Sequence, residues 1–179
     1  NLMLAYRKAE RTPGVDSGWG CFSGLSKSAR WDVEAADESP EAQAYAEHVR
    51  VALGVGGRRS PTGRAWERLL SEFLTAQLYG FGWWEPIAND ITDAKTGKVT
   101  RFVDIGYRDP ASVCQWRVDE RERLTHIVQY SPGVYGLAEV PMSQVLYLSR
   151  NAMGTNFEGV GMMRSIEPWC RDQTATAQA

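Results

Sequence analysis

Between Trp66 and Ile87 the spacing of apolar residues changes once, and that change limits the folds open to the chain more than any other feature. Trp66, Leu69, Leu70, Phe73, Leu74 and Gln77 share one helical stripe, which predicts a helix from about Gly63 to Tyr79 with Thr62 as its cap. Gly80 ends it, because glycine adopts the left-handed helix stop without a Cβ penalty. Phe81 to Ile87 then reads as a strand, Lys95-Thr96-Gly97-Lys98 as a turn, and Val99 to Ile105 as the returning strand. Pro86 has no N–H to give a ladder, so it belongs at an edge or a strand end. Val113 to Val118 and Leu124 to Tyr130 form a second hairpin around the charged turn Asp119-Glu120-Arg121-Glu122. The expected class is α+β, with amphipathic helices packed on antiparallel β-hairpins.

The flanking segments are read in the same way. Leu2 to Arg11 is a short helix closed by Pro13-Gly14, and the irregular mix of Gly18, Gly20 and Gly24 with Trp19, Cys21 and Phe22 predicts a loop or extended arm from Val15 to Leu25. Arg30 to Ala35 alternates, placing Trp31, Val33 and Ala35 on one face of a strand. Ser39 caps a helix that starts at Pro40, buries Ala42, Tyr45, Val49, Ala52 and Leu53, and stops at Gly54. Gly56 to Pro61 reads as a mobile loop, and Ser131-Pro132-Gly133 breaks the second hairpin. Val140-Pro141-Met142-Ser143 turns into a strand at Val145 to Leu148, a loop runs from Asn151 to Gly161, and a helix begins near Met162 with Pro168 at its start or a kink. The expected organisation over 1–179 is one domain: an N-terminal helix and arm (1–28), an α+β core (29–164) and the start of a further helix (165–179). The absence of an initiator Met and the Ala-rich finish suggest a piece of something longer.

Charge and motif content narrow the function. The 179 residues carry 20 Lys+Arg against 22 Asp+Glu, a net charge of −2, which does not suit a high-affinity phosphate binder. Three widely spaced cysteines, Cys21, Cys114 and Cys170, indicate reduced thiols, with neither a disulfide framework nor a zinc site. No apolar run approaches the roughly 20 residues of a membrane span, so the expectation is a soluble, unsecreted chain. Only His48 and His126 are available as imidazoles, no His-Glu-x-x-His or phosphate-cradling Gly-x-x-x-x-Gly-Lys-Ser/Thr is present, and Cys21 has no identifiable base. No catalysis and no cofactor are expected. Asp104, Asp109 and Glu139 are carboxylates whose convergence the sequence does not indicate. Arg58, Arg59 and Arg64 form a small basic cluster that either touches a phosphate backbone or sits solvated on its loop. Gly159-Val160-Gly161 before a helix is either an anion loop or a tight lead-in to that helix, the second being favoured. Trp83 and Trp84 point to opposite faces of a strand, one to the core and the other to an interface.

The order of motifs resembles one family. Glu72-Phe73-Leu74-Thr75-Ala76-Gln77-Leu78-Tyr79-Gly80-Phe81-Gly82-Trp83-Trp84-Glu85-Pro86-Ile87 is similar to the helix, Tyr-Gly-Phe turn and Glu-ending strand of tailed-bacteriophage portal proteins of the Mu-like group. Tyr107-Arg108-Asp109-Pro110, Val140-Pro141 with Val145 to Leu148, and Phe157-Glu158-Gly159-Val160-Gly161-Met162-Met163-Arg164 follow in the family's order, so the resemblance covers about Ser39 to Arg164. It implies a wing-like part of a structural subunit in a homo-oligomeric ring, usually dodecameric, at the head–tail connector vertex of the virion. Double-stranded DNA is packaged and ejected through that ring. Implied partners are the major capsid protein, terminase and head–tail adaptor proteins, with assembly in the bacterial host cytoplasm. Trp83, Trp84, Arg108, Asp109 and Arg164 are the implied subunit-interface residues, and stem, clip and crown regions are not recognisable in the chain. The alternatives are a Trp-rich carbohydrate-binding or hydrolytic domain, or another capsid or head-completion protein.

Overall fold

A computed structural model of the chain describes residues 2–58, 60–92, 97–131 and 136–176. Five helices are present among them: α1 (Leu2–Glu10), α2 (Pro13–Ser28), α3 (Pro40–Leu53), α4 (Trp66–Tyr79) and α5 (Met163–Thr176). Six strands, β1 (Phe81–Thr92), β2 (Val99–Arg108), β3 (Val113–Val118), β4 (Leu124–Ser131), β5 (Gly136–Pro141) and β6 (Leu146–Ser149), form two antiparallel sheets in the orders β2-β1-β6 and β3-β4-β5. The class is α+β. The first hairpin is longer than its sequence pattern implied, pairing Trp83 with Arg108 at one end and Thr92 with Val99 at the other. Its expected turn lies partly outside the described residues, as do Pro132 and Gly133. β6 covers β1 only from Phe81 to Trp84, so Pro86 stands where β1 has already lost that neighbour.

Several expectations are corrected. The stretch from Val15 to Leu25 is helix: Pro13 starts α2 at the position where its missing N–H is harmless, and Val15, Trp19 and Phe22 recur at i, i+4, i+7. Arg30 to Ala35 is extended but pairs with no strand; the Arg50 guanidinium donates to its Val33 carbonyl, and its Trp31 side chain donates the indole N–H to the Ser26 carbonyl of α2. α3 begins and ends as expected, with the Ser39 hydroxyl accepting from the Ala42 amide and Gly54 left-handed at φ 71°. Its buried face is rotated, however: Ala46 is the buried residue, whereas Tyr45 and Val49 face outward. The cap of α4 is Ala65 with no side-chain bond, so Thr62 is not its cap; the Thr62 hydroxyl bonds the Ser60 hydroxyl instead. β5 is a strand of which only the last two residues, Val140 and Pro141, were expected, as part of a turn, and Pro168 lies inside α5 and does not start it.

Both tryptophans of β1 are fully buried, on opposite faces. Trp83 and Phe81 join Met3, Tyr6 and Ala9 of α1, Ile127 of β4, and Met163 and Cys170 of α5 in the main core. Trp84 lies against Phe73 of α4 at 4.7 Å and Tyr107 of β2 at 6.0 Å between ring centroids. Trp116 of β3 ties the second sheet to the first through Phe81 at 5.2 Å and Tyr147 at 5.9 Å. Such aromatic pairs contribute roughly 0.5–1.5 kcal/mol each beyond their buried area.

The two sequence motifs farthest apart in this arrangement meet at a backbone crossing. The loop after β6 passes across the α4–β1 junction, and the Arg150 amide donates to the Gly80 carbonyl (2.7 Å), the Val160 amide to the Arg150 carbonyl (2.7 Å) and the Met162 amide to the Gln77 carbonyl (3.0 Å). This approach leaves no room for side chains. A Cβ on Gly80 would lie 2.5 Å from the Glu158 carbonyl oxygen, one on Gly159 2.6 Å from the Gly80 oxygen, and one on Gly161 2.5 Å from the Leu78 oxygen. Gly80 and Gly159 also have φ of 106° and 61°. Because the obstructing atoms are backbone on both sides, Gly161→Ala is expected to destabilise the protein by about 3 kcal/mol, the upper end of core overpacking. Gly18→Ala, in a helix with open space at the Cβ position, is expected to stabilise by roughly 0.5–1 kcal/mol. Chemical denaturation of the two variants beside the parent checks both signs.

Candidate assembly surface

The basic cluster is consumed by internal pairs. Arg64 sits on the approach to α4 and reaches β2: its guanidinium bonds Glu72 (2.8 Å), Asp104 (3.2 Å) and the Ile105 carbonyl (2.5 Å), and all three side chains are largely buried. Arg58 pairs with Glu47 of α3, and Arg59 lies outside the described residues. Arg58 and Arg64 are therefore charge-matched within the chain, and the structure does not bring them together on a surface that could follow a phosphate backbone. Arg64 acts instead as a clamp between α4 and β2.

The residues expected at a subunit interface divide similarly. Trp83 and Trp84 have 0% exposure, so neither ring is offered to a neighbour; the opposite-face geometry holds, but this chain covers both faces. Arg108 pairs with Glu85 across the β1–β2 ladder, and its Nε is buried without a partner among the described residues. Asp109 accepts from the Ala111 amide at 2.8 Å and pairs with Arg7, joining the second hairpin to α1. The hydrogen bond that the Arg7 guanidinium donates to Asp109 raises the Arg7 pKa. Nearby, the Tyr79 hydroxyl donates to Glu10; burial, then this bond, pushes the Tyr79 pKa well above its usual range. Nothing in the local sequence signals these long-range links, because Arg7 and Asp109 are ordinary surface-type residues until the chain folds. Arg164 alone of the five is an exposed charge, in the first turn of α5.

No catalytic constellation is assembled from the remaining candidates. Asp104, Asp109 and Glu139 each face a different arginine, Arg64, Arg7 and Arg117. His48 stacks on Phe102 at 4.9 Å and His126 lies 4.0 Å from Glu139. Among the described residues no three His, Cys, Asp or Glu side chains converge as metal ligands, and no helix is long and apolar enough to cross a membrane. Gly159 and Gly161 serve the backbone crossing, not an anion cradle. What the surface does offer is exposed apolar side chains: Ala88, Val99 and Val103 on the outer face of the first hairpin, where the Arg101–Asp90 ion pair stands between them, and others on the outward sides of α2 and α3. Since Arg64 neutralises two carboxylates that are themselves mostly buried, Arg64→Met is expected to cost about 3 kcal/mol, as for breaking a buried pair from one side. Equilibrium unfolding checks this; wild-type stability combined with weakened, salt-dependent DNA binding would instead restore a phosphate-contact role.

Comparison with known proteins bears on what such a surface is for. None of the curated proteins matches the chain. The family described as the portal protein of Mu bacteriophage matches residues 3–172, nearly the whole chain, including the α4–β1 junction and the glycine loop that crosses it. A match of that extent, with the family's ordered motifs meeting in the fold, establishes that the chain belongs to the Mu bacteriophage portal protein family.

Proposed function

We propose that this chain is the wing-like part of a subunit in a closed portal ring at a single capsid vertex of the virion, through which double-stranded DNA is packaged and ejected. The observation that carries this is the family match over residues 3–172. Two physical features support it. A conduit wall must let DNA slide, and a net charge of −2 with Arg58 and Arg64 matched internally avoids a strong grip on phosphates. Exposed apolar area on several sides suits a subunit with different neighbours on its two flanks, as a ring requires.

The ring is dodecameric in this proposal, contacts the major capsid protein and head–tail adaptor proteins, and receives DNA driven by terminase; its assembly takes place in the host cytoplasm. The subunit's role is structural. A Trp-rich carbohydrate cleft is less well supported, because Trp83, Trp84 and Trp116 pack against other side chains inside the fold. Mass photometry and negative-stain imaging of the complete subunit provide the test. Closed rings of a dozen copies are the expected result, and a persistent monomer under assembly conditions contradicts it.

A further inference from the structure

Two strand-like edges in this fold are closed by the same device. At Ile105 of β2 the amide donates to the Asp104 carboxylate (2.8 Å), the Arg64 guanidinium donates to the carbonyl (2.5 Å), and Arg64 and Asp104 form an ion pair (3.2 Å). At Val33, in the extended segment before α3, the amide donates to the Asp32 carboxylate (2.8 Å), the Arg50 guanidinium donates to the carbonyl, and Asp32 pairs with Arg50 (2.9 Å). Each cap satisfies both backbone groups of one residue. It also marks which side of the strand is taken, because successive residues along a strand point their N–H and C=O to alternate sides.

On β2, Ile105 stands opposite Pro86, which has no N–H, so the two form a pair without ladder hydrogen bonds, and Val103, Arg101 and Val99 follow at every second position. Their N–H and C=O groups therefore face the outer edge of the sheet, past the Arg64–Asp104 cap, and all three residues are exposed. In the segment before α3 the groups of Val33 face Arg50, so those of Asp32 and Glu34 face the other way. Both residues are exposed, and neither backbone forms a hydrogen bond among the described residues. The alternating stretch around Trp31, Val33 and Ala35 is thus a strand with one side latched and the other without a neighbour.

We propose that the segment around Asp32 and Glu34 of one copy adds as an edge strand to Val99–Val103 of β2 in a neighbouring copy of this chain; this rests on the ring reading above and names its contact. Charge selects the occupant. Antiparallel addition with Asp32 opposite Arg101 sets Glu34 opposite Val99 and extends the Arg101–Asp90 pair (2.7 Å) into a row that alternates Asp90, Arg101, Asp32 and Arg50. Pairing β2 with itself across a two-fold axis sets Arg101 against Arg101, and pairing the other segment with itself sets acid against acid, since 31–49 contains no Lys or Arg. The β1 edge of the hairpin is excluded as the acceptor, because Pro86 gives no N–H and Asp90 would face Asp32. With one edge of each kind per copy, the contact repeats head to tail until a ring closes.

Amide hydrogen exchange on the complete, unmodified subunit tests this, with dilute monomer compared against rings identified by mass photometry. The amides of Asp32, Glu34, Arg101 and Val103 are expected to exchange at least about tenfold more slowly in the ring, whereas Thr100 and Phe102, already bonded to β1, stay as they were. Two variants separate a backbone ladder from simple cover. Val103→Pro removes an outward N–H that the monomer does not use, and D90R/R101E keeps the hairpin ion pair while turning an acid toward Asp32. Each is expected to raise the concentration for half-assembly at least about tenfold, with far-UV circular dichroism as the folding check. Rings in which the four amides exchange as in the monomer, or natively folded variants that assemble like the parent, overturn the strand pairing and leave the ring standing. A parent subunit that never assembles overturns the ring and this contact together. Should a variant fail to fold, exchange in the unmodified ring decides alone: slowed amides support the pairing, and unchanged ones refute it.

Discussion

The backbone crossing at Gly80, Gly159 and Gly161 is the constraint from which the rest of the arrangement follows. α4 must stop where the chain can turn left-handed, β1 must start at once, and the loop after β6 must lie on that junction closely enough for amides of Arg150 and Met162 to reach carbonyls there. Those bonds fix where α5 begins, and α5 in turn holds α1 over the main core through Met3, Tyr6, Met163 and Cys170. Residues nearly eighty positions apart in sequence are thereby made neighbours without any side-chain recognition. Hydrogen-bonded backbone without intervening side chains is possible only with glycine on the approaching strands.

On this frame β1 serves two cores at once. Alternation sends Trp83 toward α1, β4 and α5 and Trp84 toward α4 and β2, and both rings are excluded from solvent because both sides of the strand are roofed. Ion pairs then seal the edges: Arg64 closes the α4–β2 gap, Arg108 spans the β1–β2 ladder, and Arg7 joins α1 to the second hairpin. Most arginines that might have faced a nucleic acid are thus occupied in holding elements together. A structural subunit of the portal family, with a surface that is apolar in patches and near neutral overall, is consistent with that use of charge.

Much of this was legible before folding, for physical reasons that vary by element. Ser39-Pro40 and Gly54 delimited α3 correctly because caps are local chemistry. Leu69 and Leu70 of the α4 stripe and the hairpin pairs were visible because one face of each is buried against something large, whereas Gln77 of that stripe is exposed and Ala76, Leu78 and Tyr79 are buried in the last turns. α2 was missed because four glycines hid the spacing of Val15, Trp19 and Phe22, and its helicity depends on packing beside α1 and α4 more than on propensity. Tyr45 and Val49 gave a convincing stripe on α3, yet the side that packs is set by Ala46, whose small side chain lets the helix approach; apolar spacing alone does not tell an inner face from an outer one. The site residues were hardest. Arg64 and Asp109 are assigned to their partners by tertiary geometry, and no local pattern encodes a partner 40 or 102 residues away.

If the glycine crossing is the tie that makes helices and sheets one cooperative unit, its hydrogen bonds open only when the whole protein unfolds. Native-state hydrogen exchange at the Arg150, Val160 and Met162 amides measures this directly. The account predicts exchange at the free energy of global unfolding, together with the amides at the centre of β1. Rapid exchange at these three positions, while β1 stays protected, would contradict it.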